Sequence, residues 1–185
     1  MKSKAMDPFG FFAILALVVT LLAGVACFAF PLRPPMARYI VSSGVGYRLK
    51  PLGGGGQALH RGVDLVGPPG SAILAAGSGT VVEHWPAPGT PIPGRPGKTF
   101  GGHPVMGGYI VLDHGGGVLT LYGHLGATYV HTGQRVGAGQ IIGRQGATGD
   151  ATGAHLHFEI IVSPLLFFAQ PLGPVLLRDP RELLR

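Results

Sequence analysis

HLHFEIIV, residues 155–162, alternates polar and apolar side chains and reads as a β-strand. In a strand, residues two apart share a face, so His155 and His157 lie together while Leu156 and Phe158 point the other way. One face is built for a core, and the other carries two imidazoles. Glu159 falls on the His157 side, where it reads either as a partner for an imidazole or as a carboxylate at the core edge.

Outward from this strand the pattern repeats in short units separated by glycine. Thr80–His84, Tyr109–Asp113 and Gln140–Ile142 are compact β-rich runs, and Ala37–Ser42 reads as a first strand. Val118–Tyr122 alternates in period two after Gly115-Gly116-Gly117, which predicts a hairpin with Tyr109–Asp113. Gly53–Gly56 is a four-glycine turn. Glycine (33) and proline (17) together make up near a quarter of the 185 residues, but they punctuate strands and do not form a low-complexity tract. The stretch 86–108, PAPGTPIPGRPGKTFGGHPVMGG, is too rich in proline for a strand ladder and is expected to project as a long loop. No long amphipathic helix is visible after residue 31. The fold class that follows is mainly β, with an antiparallel sheet.

The first thirty residues differ from the rest. Phe9 to Phe30 is 22 residues without a charge, bounded by Pro8 and Pro31. As a helix it would extend about 33 Å at about 1.5 Å per residue, enough for a bilayer core. An uncleaved signal anchor is the expected reading, giving a single-pass membrane protein with its folded part outside the cytoplasm. Gly24 and Ala26 also suit signal cleavage, and Cys27 a lipoprotein signal, although Gly24 stands where that signal expects Leu. A buried core helix is disfavoured, because no residue there is polar enough to face solvent. The expected organisation is a cytoplasmic tip and transmembrane helix over 1–31, a linker with the first strand over 32–52, a domain over 53–163 and an extension over 164–185. That extension is apolar and interrupted by proline, and suits packing on the domain or lying near the membrane.

A net charge of +6 comes from scattered side chains, mostly Arg, with no basic run. This speaks against nucleic acid as a partner and suits a solvated surface or an anionic one such as wall or lipid headgroups. A single cysteine excludes an internal disulfide.

The eight histidines are many beside eight carboxylates. His60 and Asp64 lie four apart in LHRGVDL, where Gly62 and Val63 oppose a helix, so an extended segment would put both on one face. With one histidine of the HLH strand they make a plausible zinc set of two imidazoles and a carboxylate, with a fourth position for water. By spacing alone His155 and His157 serve equally as the third ligand. Zinc in such a site activates water for hydrolysis, a reaction that also needs a proton handler and an oxyanion stabiliser. His124, in LYGHLG at a strand end, is a candidate for one of these. His114 reads as structural, and His84, His103 and His131 as surface or loop residues.

HRGVD, then YIVLDHGGGVLTLYGHL, then GQRVGAGQIIGRQGATGDATGAHLHFEI closely resembles the lysostaphin and LytM-like zinc endopeptidases, over roughly residues 60–162. The resemblance implies one zinc per chain held by His60, Asp64 and His157, with His124 and His155 as the catalytic, non-ligand pair. It implies an antiparallel sheet with the metal in a groove, and bacterial peptidoglycan peptides as substrate. The stretch before Gly108 is longer than that family's usual connection and would wall the groove. A context in a cell envelope, a conjugation apparatus or a virion membrane fits equally.

Two other readings compete. One is a non-catalytic envelope or virion interaction module that keeps the fold. The other, a lipoyl- or biotin-carrier-like hairpin around VGAGQIIG, fails for want of a lysine at its turn, since Lys50 and Lys98 are the only lysines beyond residue 4.

Overall fold

The computed structural model describes residues 32–49, 56–93, 95–162, 176–178 and 180–183. The 9–30 stretch and most of the four-glycine turn lie outside the described residues. Among the described residues no helix is long and apolar enough to cross a membrane.

Twelve strands are described: β1 Ile40–Ser43, β2 Gly46–Leu49, β3 Gln57–His60, β4 Val63–Val66, β5 Ala72–Leu74, β6 Gly79–Trp85, β7 Gly108–Asp113, β8 Val118–Thr128, β9 Arg135–Val136, β10 Ile141–Gln145, β11 Leu156–Val162 and β12 Leu176–Arg178. The main sheet runs β1-β4-β11-β8-β7-β6-β9, and the pairs along it are antiparallel. β10 bonds to β5 and to the far half of β8, and β2 and β3 form a separate hairpin.

The alternation of HLHFEIIV governs the core. Leu156 and Phe158 are fully buried and Ile160 nearly so, packed with Val63, Leu65, Tyr122 and Leu125. Each such side chain contributes about 1.5–3 kcal/mol of burial. The β7–β8 hairpin forms across the predicted glycine turn, with Gly115, Gly116 and Gly117 all at positive φ. At its base lies a buried polar chain: His114 pairs with Ser78 O and Thr120, the Thr120 hydroxyl donates to Tyr122, and Tyr122 accepts from Ala76 N–H. Burial raises the Tyr122 phenol to about 12, so it stays neutral in this role.

Two stretches differ from their sequence reading, and a third takes one of its two expected places. Residues 32–52, read as a linker with one strand, join the fold where the structure describes them: Met36 is 2% exposed, β1 pairs with β4, and β2 pairs with β3. Residues 86–108 form no long ladder, yet they pair with themselves. Gly89 N–H donates to Phe100 O and Phe100 N–H to Thr90 O, and single bridges join Pro91 to Thr99 and His103 to Gly107. The prolines leave enough free N–H groups for this short hairpin. In the C-terminal extension β12 continues the sheet beside β11, opposite Ile160–Val162, where β4 has ended.

Candidate metal centre and catalytic groove

Asp64 and His157 meet because of register. They are direct cross-strand partners on β4 and β11, and Gly123 of β8 flanks His157 on the other side. His60 arrives differently. It ends β3, in the other sheet, and the chain turns at Arg61-Gly62 before β4 starts. His60 and Asp64 thus share a site without sharing a strand. The turn needs glycine, since a Cβ on Gly62 would lie 2.3 Å from Phe158 O.

The three ligand atoms form a tight triangle. His60 Nε2 lies 2.9 Å from Asp64 Oδ1 and 2.9 Å from His157 Nδ1, and the last two are 3.0 Å apart. The outer nitrogens are committed. His60 Nδ1 faces Gly44 O at 2.8 Å and His157 Nε2 faces Glu159 Oε1 at 3.0 Å, so each carries a proton and donates it outward. The inner nitrogens then present lone pairs to one another and to a carboxylate oxygen. A divalent cation satisfies all three at once, and this donor set suits zinc, whose tetrahedral edges of about 3.3 Å need only a slight spreading of the triangle.

Burial pushes His157 down, but its bonds to Asp64 and Glu159 prevail and lift it above the ordinary value. Burial likewise acts to raise Asp64, and is outweighed by the bonds to His157 and His60, which hold it well below the usual carboxylate range.

His155 stands outside the triangle. Its Nδ1 donates to Gly153 O, and Nε2 lies 3.6 Å from Asp64 Oδ1. His124 packs against it with ring centroids 4.7 Å apart and donates Nδ1–H to Thr148 O at 2.8 Å. Burial is the main cause that lowers His124, to about 4, so the ring is neutral near pH 7. Its backbone is in the left-handed region (φ 61°), where the ladder between β7 and β8 shifts register, and its N–H donates to Met106 O. Such a conformation costs on the order of 1–3 kcal/mol in a non-glycine residue and persists only where surroundings impose it.

Two residues of the 86–107 stretch, Val105 and Met106, form part of the groove wall. His103 Nδ1 accepts from Val105 and Met106 N–H, and its ring sits edge-on to Trp85 and Tyr109. Val105 and Met106 line an open groove together with Arg48, Leu59, His124 and His157. Of the other histidines, His84 lies on β6 against Thr128, half-buried, and His131 is exposed.

Arg48 was not singled out by sequence reasoning. From β2 it donates to Asp64 Oδ2 at 3.0 Å and to Ser43 at 2.9 Å, which leaves Oδ1 alone to face the triangle. The one signal was a lone arginine in the short run GYRL. Glu159, read two ways from sequence, is 2% exposed and holds His157, with Arg61 3.9 Å away.

An antiparallel sheet and a neighbouring hairpin that together gather two imidazoles and a carboxylate, with two further imidazoles beside them, define a candidate metallohydrolase centre. Residues 58–165 match the model of peptidase family M23. Peptidoglycan DD-endopeptidase ShyA of Vibrio cholerae is 38% identical over 105 residues, 57% of this chain and 21% of that protein. A zinc-containing peptidase from Vibrio cholerae superposes with a TM-score of 0.58 at 34% identity, covering 73% of this chain and 37% of that one. The catalytic domain of lysostaphin from Staphylococcus simulans does so with a TM-score of 0.53 at 32% identity, over 79% and 92%. The chain belongs to peptidase family M23, and it spans about a fifth to a quarter of the length of the first curated relatives it matches.

Proposed function

We propose that this chain is a zinc-dependent endopeptidase that hydrolyses peptide bonds in the stem peptides or cross-bridges of bacterial peptidoglycan. It is held at a membrane by residues 9–30, with its domain on the wall side. The observation that carries the reading is the triangle of His60, Asp64 and His157 with the rings of His124 and His155 beside it. Membership of M23, and relatives named as peptidoglycan endopeptidases, support the substrate class.

His60, Asp64 and His157 would hold the metal, Glu159 and Gly44 O fixing the two rings and Arg48 the carboxylate. Zinc held there supplies Lewis acidity, polarising a carbonyl and lowering the pKa of water towards about 7. The chain's own groups do the rest. With their Nδ1 protons committed to Thr148 O and Gly153 O, His124 and His155 present Nε2 as bases. His155 is the more exposed and takes the proton of the attacking water first, because burial disfavours a charge on His124. Once charged, the ring becomes a donor towards the developing oxyanion and the leaving amine.

The test is mass spectrometry of peptides released from purified peptidoglycan of several species by the zinc-loaded protein. Cleavage that a chelator removes and zinc restores is expected. Stoichiometric zinc with no bond cut in any wall would overturn the enzyme reading in favour of an interaction module.

A further inference from the structure

We infer that the domain rests directly on the bilayer by one pole, with the groove opening on the opposite side. The inference builds on the membrane-anchor reading and adds an orientation to it.

The first observation is the lack of slack. The uncharged stretch ends at Phe30, and Leu32 already packs against the core. Arg33 N–H donates to Ala76 O at 2.7 Å, and Leu74 N–H to Pro35 O at 2.8 Å. Only Pro31 separates the apolar stretch from the fold, so a spanning segment would leave the domain no tether on which to swing.

The second observation is where the chain joins the fold. A Cβ on Gly77 would lie 2.9 Å from Leu32 Cδ2 and 3.0 Å from His114 Nδ1, so Leu32 sits beside His114 at the β7–β8 turn. His114 N–H donates to Val118 O, at the start of β8. His124 is further along that same strand, about 20 Å away at about 3.3 Å per residue.

The third observation comes from the other end of the chain. Residues 163–175, SPLLFFAQPLGPV, carry no charged side chain. Both flanks of this stretch lie at the same pole, since Val162 pairs with Val118 on one side and with Leu176 on the other. Two uncharged stretches therefore join the fold at one end of the sheet, the end away from the groove. Arg33 and Arg135 are exposed around this pole, among the small side chains of Ser78 and Ala138. The partner this surface fits is the headgroup layer of a bilayer containing anionic lipid, where each nearby Arg contributes about 1 kcal/mol.

The consequence is a fixed stand-off. The groove works on peptides held on the order of 20 Å from the membrane surface, which favours assembled wall over precursors still attached to lipid.

The test uses the full-length protein in vesicles of phosphatidylethanolamine and phosphatidylglycerol, with the lone cysteine replaced (Cys27→Ser) and one fluorophore on either Ala138→Cys or Thr152→Cys. Ala138 lies at the pole, bonded to Ser78, and Thr152 is exposed in the loop before His155. Nitroxide-headgroup lipid should quench the pole label several-fold more strongly than the groove label. Ser78→Cys serves as a second pole position, and stoichiometric zinc binding certifies the fold of each variant. Failure to float with the vesicles overturns the anchor itself, and the orientation with it. Flotation with equal quenching at the two positions, or stronger quenching at Thr152, overturns the orientation alone.

Discussion

Asp64 and His157 sit on adjacent strands of the main sheet, whereas His124 and His155 stand where strands bend or have not yet begun. The first pair is placed by the ladder: shift β4 against β11 by one residue and Asp64 turns to the face opposite His157. The second pair is placed one ring at a time, each by a carbonyl that takes its Nδ1 proton. The positions of Asp64 and His157 in the groove are therefore set by the register of the main sheet. The end that carries His124 and His155 depends on Thr148, Gly153 and the 103–107 turn holding their positions. Metal binding and chemistry should then respond separately to mutation.

The largest effect should come from the ladder side. His157→Ala or Asp64→Ala leaves two converging ligands, and both metal content and peptide release should fall below detection, as measured by elemental analysis and a muropeptide assay. Retained stoichiometric zinc in either variant would break the comparison. Next come His124→Asn and His155→Asn. These should keep one zinc per chain while kcat/KM drops by about 10²–10⁴-fold, the range for a lost acid–base group.

Smaller effects should follow from the groups behind the ligands. Glu159→Gln weakens the hold on His157 and should lower zinc affinity by about 10–100-fold in a chelator competition. Arg48→Gln should fall at the lower end of that range, because Arg48 is 37% exposed and water replaces part of its contact. Arg48→Lys should recover more of the affinity than Arg48→Gln, since a single nitrogen, Nη1, makes the contacts to both Asp64 and Ser43 and an ammonium keeps the charge.

The smallest effect concerns pH. His124 is lowered to about 4 in the fold against 6.5 unfolded, chiefly by burial. Below pH 6.5 the unfolded chain binds a proton that the folded chain refuses until about pH 4. The stability contributed by His124 should thus be full above 6.5 and decline as pH falls through that window, while the raised His157 acts in the opposite sense. Urea unfolding in a chelator should show a shallower decline for His124→Asn, and equal slopes would place His124 in contact with water.

How far the sequence could be read follows the same division. HLHFEIIV announced its strand and both its faces because period-two alternation is local. The β7–β8 hairpin was legible from Gly115-Gly116-Gly117 for the same reason. β2, β3 and β4 were not, being four residues each, too short for a period to show beside glycine and proline. Reading 32–52 mainly as a linker missed Arg48 with them. The proline-rich stretch concealed its own pairing because proline limits which N–H groups remain without saying where they point. The triangle of His60, Asp64 and His157 is the geometry that the resemblance implied, and spacing alone left His155 an equal claimant.

By itself the sequence determined the chemistry on offer: an antiparallel β domain, four imidazoles and a carboxylate in recurring motifs, and an uncharged stretch at one end. Such information is carried by periodicity and by residue type, which act over a few residues. Tertiary structure alone decided which imidazoles converge and which stand by, that Arg48 and Glu159 hold them, and that the chain joins the fold at the pole away from the groove. Those facts depend on strand register and on contacts between residues up to 97 positions apart, as His60 and His157 are, and no local pattern encodes such a distance.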